Sequence, residues 1–167
     1  MKSGADEFAA AAERHLDDVH AYLVYLTGDK TVAEELTAET FARALERWRR
    51  YDPRRGSPRT WLCQLARTTA LDHFRAEDRR RRREGRYALQ RREAEEAVFG
   101  EGLSPALEGA LARLSAAERE VVALRIVLDL DGEGAARVLG ISPTACSTRL
   151  SRALQKLEKE VSAGVAA

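Results

Sequence analysis

The segment from Arg47 to Arg92 limits what this chain can fold into. It holds 16 Arg against 5 Asp or Glu, a net charge of +11, between flanks of −6 (residues 1–46) and −4 (residues 93–167). The overall net charge of +1 therefore hides a strongly basic centre. From Arg79 to about Gly102 the chain is a charge run with a sign change and little apolar periodicity. Such a stretch marks a domain boundary, so two small modules are expected, joined by a flexible basic linker over 81–102. About 20 extended residues span up to roughly 70 Å, enough to let the modules sit far apart on one long ligand.

Every cation in the basic segment is Arg, whose planar fork suits phosphate, and Trp48, Tyr51, Trp61 and Phe74 are interleaved among them. Guanidinium groups mixed with aromatic rings are what polyanion binding and base stacking require. The competing reading is a solvated charged helix followed by a disordered Arg tail.

Helical spacing dominates the rest of the chain, and neither an alternating β-branched run nor an Asn-Gly turn between apolar segments is found. The expected fold class is all-α. With 44% hydrophobic and 33% charged residues, general disorder is excluded. The most apolar stretches, 8–12 and 121–128, fall far short of a membrane span, and MKSGADEFAA lacks the order of a secretory signal, so a cytoplasmic location is expected. Cys63 and Cys146 have no Cys-x-x-Cys spacing and read as buried thiols in a reducing compartment. His15 and His20 lie about 140° apart on a helix, which does not make a paired metal site. No nucleophile is paired with a base, and Gly132-x-Gly134 follows no strand. Neither an enzyme nor a metal or other cofactor is expected.

The first module is placed at 6–80. A helix over 6–27 stops at Thr27-Gly28-Asp29, and a second opens at a Thr31-x-x-Glu34 capping box. On the second helix Ala33, Leu36, Thr40, Phe41, Ala44 and Trp48 share one face, and Glu35, Ala38, Glu39, Ala42 and Glu46 share the other. That acidic face is either simply solvated or a docking surface for a basic partner. A loop from Tyr51 to Arg59 leads to a third helix, capped at Ser57-Pro58 or Thr60 and running to about Arg80. Leu62, Leu65, Ala66, Thr69, Ala70 and His73 face inward. Gln64, Arg67, Thr68, Leu71, Asp72 and Arg75 face outward, a donor and acceptor inventory suited to base edges.

The second module is placed at 103–161. Leu107, Leu111 and Leu114 mark one helix, and Ser115-x-x-Glu118 caps another that runs through Leu128. A short helix from Glu133 to Leu139, a turn at Gly140-Ile141 and a Ser142-Pro143 start give a helix-turn-helix. In the last helix, to about Val161, Cys146, Leu150, Ala153, Leu154 and Leu157 face inward. Thr144, Ser147, Thr148, Ser151, Arg152, Gln155 and Lys159 face outward from the N-terminal end, where a recognition helix enters the major groove. Residues 162–167 form a small apolar tail.

AEELTAETFARAL (33–45), Arg59-Thr-Trp-Leu with LARTTALDHFR (65–75), LARLSAAEREVVALRIVLDL (111–130) and ARVLGISPTACSTRLSRALQKL (136–157) follow one another in an order and spacing that span nearly the whole chain. This succession resembles bacterial RNA polymerase sigma factors of the extracytoplasmic-function group of the sigma-70 family, with regions 2.2, 2.3, 2.4 and 4 in turn. The resemblance implies two helical domains that grip core RNA polymerase and direct it to promoter DNA. By position it implies polymerase binding through Glu35, Ala38, Glu39 and Ala42. It implies minus-ten contacts through Tyr51, Arg54, Arg55, Arg59, Trp61, Gln64, Arg67, Thr68, Asp72 and Arg75, with a base captured by the Tyr51–Arg59 loop. Minus-thirty-five contacts fall to Thr144, Ser147, Thr148, Arg149, Ser151 and Arg152. It further implies an anti-sigma partner, and the final Val-Ala-Ala, with Ala166 and Ala167, resembles endings read by Clp-type proteases; a frayed helix end is the plainer reading.

The chain departs from the group's pattern at Ala38, where Gln is usual, at Thr68, where Asn is common, and at Ser147, where a basic residue is common. Asp-Gly-Glu-Gly-Ala at 131–135 replaces a segment that usually carries an aromatic residue. Two helical glycines cost about 1 kcal/mol each relative to Ala, which predicts a weaker, more mobile second module. The rival functions are a stand-alone helix-turn-helix regulator and a sigma-like decoy for an anti-sigma factor.

Overall fold

The computed structural model describes residues 3–85 and 97–166, and among these the regular structure is helical throughout. In the first module α1 (Gly4–Thr27) opens on a reciprocal capping box between Ser3 and Asp6 and ends on Gly28 in the left-handed conformation, φ 65°. Helix α2 (Lys30–Arg47) is not capped by the expected Thr31–Glu34 box. Asp29 caps it instead, its carboxylate accepting from the amides of Thr31 and Val32, so the helix starts two residues earlier. Two short 3-10 turns, Trp48–Arg50 and Pro53–Arg55, lead to α3 (Pro58–Glu84), where Ser57 caps Thr60 and Pro58 fills the first helical position.

Helix α3 runs four residues past its expected end, to a left-handed Gly85. Arg80 pairs with Glu77 one turn back, and Arg81, Arg82 and Arg83 sit where positive charge favours a helix C-terminus. The first part of the expected linker is therefore helix. Residues 86–96 lie outside the described residues.

The second module contains α4 (Pro105–Arg113), α5 (Ala116–Val122), a π-helical turn (Ala123–Val127), α6 (Gly132–Leu139) and α7 (Pro143–Ala166). The Ser115–Glu118 capping box is present, and Gly140 closes α6 at φ 66°. Helix α7 continues to Ala166 rather than Val161, because its far end packs on α4; at Gly164 an added Cβ would lie only 3.6 Å from the Ala106 Cβ. The predicted tail is thus helical through Ala166.

Tyr22, Leu23, Leu62, Ala66 and Val19 are fully buried where α1, α2 and α3 meet, and Val121, Leu124, Ala135, Cys146 and Ala153 are fully buried in the second module. The expected inward rows of α2 and α3 are buried or half-buried throughout. In α7 Cys146 and Ala153 are buried, and Leu150 and Leu157 pack on the core. Leu154, expected inward, is 37% exposed because it lies at the edge of that stripe.

The two cores are continuous. Helix α3 lies against α6, and α1 lies against α5 and the π-helical turn. The linker's last residues also belong to this packing. The Val98 amide donates to the Gly28 carbonyl at 3.0 Å, and Phe99 is buried between the Tyr25 ring (5.6 Å) and the Arg119 guanidinium (5.5 Å). A Cβ on Gly28 would meet Ala97 at 3.0 Å, so its positive φ and the close strap both call for glycine.

Candidate nucleic-acid interface

The acidic face of α2 is open. Glu35, Ala38, Glu39 and Ala42 are all exposed, and Leu45, 57% exposed, extends the face by one turn. Glu39 is not free, however. Arg43 donates to Glu39 Oε1 at 2.6 Å and to Asp72 Oδ2 of α3 at 3.0 Å, so one half-buried guanidinium joins the α2 face to the α3 face. Those two carboxylates raise the Arg43 pKa further, the Asp72 hydrogen bond first among the causes, so Arg43 stays cationic. The sequence reading did not single out this bridge.

The loop before α3 is built on aromatic packing. Tyr51 stacks on Trp48 at 5.0 Å between centroids, Trp61 meets both rings edge-on or tilted, and Phe8 closes the cluster against Trp48. The Tyr51 hydroxyl donates to the Gly56 carbonyl at 3.0 Å, which fixes the loop. Arg54 and Arg55 point to water, with Arg54 on Asp52 at 3.1 Å; that hydrogen bond holds the Asp52 carboxyl below the usual range. A cleft of about 540 Å³ is lined by Arg50, Arg54, Arg55, Trp61, Gln64 and Arg137 among others. Arg137 comes from α6, so the second module supplies part of its wall.

Along α3 the predicted row divides in two. Thr68, Asp72 and Arg75 are exposed, with Thr68 Oγ1 donating to the Gln64 carbonyl of its own helix and Arg75 3.7 Å from Asp72. Arg59, Gln64 and Arg67 face the second module. The Arg59 Nη1 donates to the Leu128 carbonyl at 2.8 Å and lies 3.4 Å from Asp18. The Gln64 amide makes a long 3.4 Å contact to the Arg137 carbonyl. Arg67 Nε donates to Glu120 Oε1 at 2.6 Å, and the Tyr22 hydroxyl donates to the same oxygen at 2.6 Å.

Glu120 is a buried carboxylate on α5, 6% exposed, and an uncompensated charge there would cost several kcal/mol. Arg67 and Tyr22 supply the compensation from two helices of the other module. Burial, and then the neighbouring carboxylate, push the Tyr22 phenol well above its ordinary range, so it remains a neutral donor. The neighbouring Cys63 thiol is pushed up to about 12 by burial. No periodicity marks Glu120 as special. The only sequence signal was a carboxylate set beside the buried run Val121–Leu124.

On α7 the predicted row is free. Thr144, Ser147, Thr148, Ser151 and Arg152 are exposed and Arg149 is half-buried. Thr144, Thr148, Arg149 and Arg152 line a shallow concavity of about 590 Å³ shared with Ser115 and Ala117 at the start of α5. The Ser142 hydroxyl accepts from the Ala145 amide and so caps the helix where that row begins.

The described residues thus form a three-helix bundle packed on a helix-turn-helix module, with an Arg-rich helix in the first and an exposed polar row in the second. Residues 11–80 match sigma-70 region 2, and residues 104–157 match sigma-70 region 4. The chain is 32% identical over 167 residues to the ECF RNA polymerase sigma factor BldN of Streptomyces coelicolor, covering 93% of this chain and 60% of that relative. It is 33% identical over 142 residues to the probable RNA polymerase sigma-C factor of Mycobacterium bovis, covering 84% of this chain and 75% of the relative. The chain belongs to the extracytoplasmic-function group of the sigma-70 family. In fold it resembles the sigma factor RpoE solved in complex with the anti-sigma factor NepR from Bartonella quintana, with a TM-score of 0.71 and 22% identity over 93% of this chain and 97% of that one. The chain spans about three-fifths of the length of the Streptomyces relative.

Proposed function

We propose that this chain is a sigma factor: it binds core RNA polymerase and directs transcription initiation by recognising and melting promoter DNA. The observation that carries the reading is the coexistence on one chain of two separate polar reading rows, α3 and α7, with a third, acidic surface on α2. A duplex-binding regulator needs only α7, and leaves the α2 face and the basic α3 unused.

In this reading Glu35, Ala38, Glu39 and Ala42 dock on the polymerase. Arg54, Arg55, Arg59, Gln64, Arg67, Thr68, Asp72 and Arg75, with the Tyr51–Trp61 aromatics, engage the minus-ten strand. Thr144, Ser147, Thr148, Arg149, Ser151 and Arg152 read the minus-thirty-five duplex. No bond is made or broken by the chain. Binding energy offsets the few kcal/mol that each unstacked base costs. Since a relative in fold is held by an anti-sigma factor, a protein of that kind is proposed as a partner here too, acting in the cytoplasm where polymerase works.

Run-off transcription with bacterial core polymerase on a genomic fragment library tests the proposal. Discrete start sites that need the chain, and that vanish with Glu35→Lys, support it. Sequence-specific duplex binding without any transcript points to the stand-alone regulator, and absence of both points to the decoy.

A further inference from the structure

We propose that Arg43 is a positioning residue for base reading. Its guanidinium holds the Asp72 carboxylate so that one oxygen stays open on α3 as an acceptor, and the chain thereby prefers an amino base, adenine or cytosine, at one minus-ten position. The inference deepens the sigma-factor reading above and rests on it for what α3 meets.

Arg43 belongs to none of the proposed contact sets, and its side chain is only 27% exposed where α2 meets α3. It is pinned from two sides. Nη2 donates to Glu39 Oε1 at 2.6 Å, one turn back on its own helix, and Nη1 donates to Asp72 Oδ2 at 3.0 Å. Both carboxylates are about half exposed, so these ion pairs add little to stability. What they fix is direction. Asp72 Oδ2 is drawn toward α2, and Oδ1 is left 3.7 Å from Arg75 Nη1, beyond hydrogen-bond range.

One turn before Asp72, the Thr68 hydroxyl donates its proton to the Gln64 carbonyl, so toward a base it can only accept. Thr68 and Asp72 therefore present two acceptors, four residues apart on one exposed face of α3. Adenine N6 and cytosine N4 donate to such groups, whereas thymine O4 and guanine O6 are themselves acceptors. On an unpaired strand these edges are free to be read. Without Arg43 the cation left beside Asp72 is Arg75, three residues on along the same helix. Those two would close on each other, which occupies the acceptor and withdraws Arg75 from phosphate. The cluster of Glu39, Arg43, Asp72 and Arg75 is formally neutral, and losing Arg43 would leave it negative toward a polyanion.

The experiment is a base scan with core polymerase and the full chain. A promoter found by run-off transcription is altered at each minus-ten position to all four bases in turn, and the abortive product from each template is measured. The chains compared are the wild type, Arg43→Ala, Arg43→Lys, Asp72→Ala and the Arg43→Ala, Asp72→Ala double variant. Poor folding or poor polymerase binding lowers output on every template alike, whereas lost positioning changes the ratio between bases at one position. For the wild type, one position should favour adenine or cytosine over thymine and guanine by roughly tenfold. Arg43→Ala and Asp72→Ala should each cut that ratio to about twofold or less, and the double variant should cut it no further. Arg43→Lys keeps the charge but not the fork, and should restore part of the preference. If Arg43→Ala does not fold, Arg43→Gln takes its place with the same expected ratio. An unchanged ratio, a fall shared equally by all four bases, or a further loss in the double variant overturns the proposal. Transcription whose base ratios ignore Arg43 sinks this proposal alone; no transcript from any template with the wild type removes the sigma-factor reading and this proposal with it.

Discussion

Helices α3 and α7 both carry a polar row, yet the molecule presents them differently. On α7 the row from Thr144 to Arg152 is exposed except for the half-buried Arg149. On α3 the half nearest the loop is occupied by Glu120 and backbone carbonyls of the second module, and only Thr68, Asp72 and Arg75 stand clear. Under the proposed function the difference matches what each helix would meet. A duplex shows its base edges in the groove already, so a rigid exposed row suffices. An unpaired strand is met by aromatic and Arg groups that attract any polyanion, and such groups are the ones best kept covered until use.

The comparison breaks most severely if the core under α7 is removed. Leu124 is fully buried, so Leu124→Ala should cost about 2–5 kcal/mol. Hydrogen exchange should then show α5 to α7 losing protection well before α1 to α3; equal loss in both modules would mean that they fold as one unit. In the unaltered chain the same measurement checks the expectation that two helical glycines leave the second module the weaker one.

Next in size is Arg67→Ala. It leaves the Glu120 carboxylate buried with only the Tyr22 hydroxyl, and about 3 kcal/mol of stability should be lost in chemical denaturation, the low end for a broken buried pair because Arg67 is partly solvated. A loss under about 0.5 kcal/mol would show that the modules are not closed in solution.

Arg152→Ala should behave in the opposite way. The side chain is exposed, so stability stays within about 0.5 kcal/mol, while specific duplex binding falls roughly tenfold in a gel-shift titration. Unchanged duplex affinity would remove Arg152 from the reading row.

The smallest effect at neutral pH is the titration of the interior. The Cys63 and Tyr22 pKa values are both raised by burial, so their neutral forms are favoured in the folded chain. Stability from Cys63 is complete below its unfolded value of 9.0 and declines as pH rises from there toward about 12, with Tyr22 adding to the loss above 10.0. Thermal melting should be flat from this source between pH 6 and about 8.5 and fall in alkali. Native-state alkylation should leave Cys63 unmodified at pH 8; rapid labelling there would place it outside the core.

Much of this architecture was legible in the sequence. The inward rows of α2 and α3, the Ser57 and Ser115 caps and the Gly28 and Gly140 stops rest on local periodicity and capping chemistry, which the order of residues carries directly. Asp29 displaced Thr31 as a cap because two candidate oxygens lay two residues apart and only backbone geometry decides between them. The exposed polar row on α7 was legible as a row. What could not be read was that half of the α3 row faces protein. A helical wheel separates inside from outside, but it cannot tell water from a second module, and Tyr22 and Glu120 are 98 residues apart. Gly134 looked like a weakness because propensity assigns it a cost, while in the structure an added Cβ would crowd the Asp131 carboxylate that caps its own helix, at 2.9 Å.

The most direct test of the central claim is permanganate probing of a promoter found by run-off transcription, with core polymerase and the full chain. Two reading rows in one sigma factor predict unpaired, reactive thymines at the minus-ten element together with protection of the minus-thirty-five duplex, both lost with Glu35→Lys. Protection at minus-thirty-five with no reactive thymine at minus-ten would contradict it and leave α7 as a duplex reader without a melting partner.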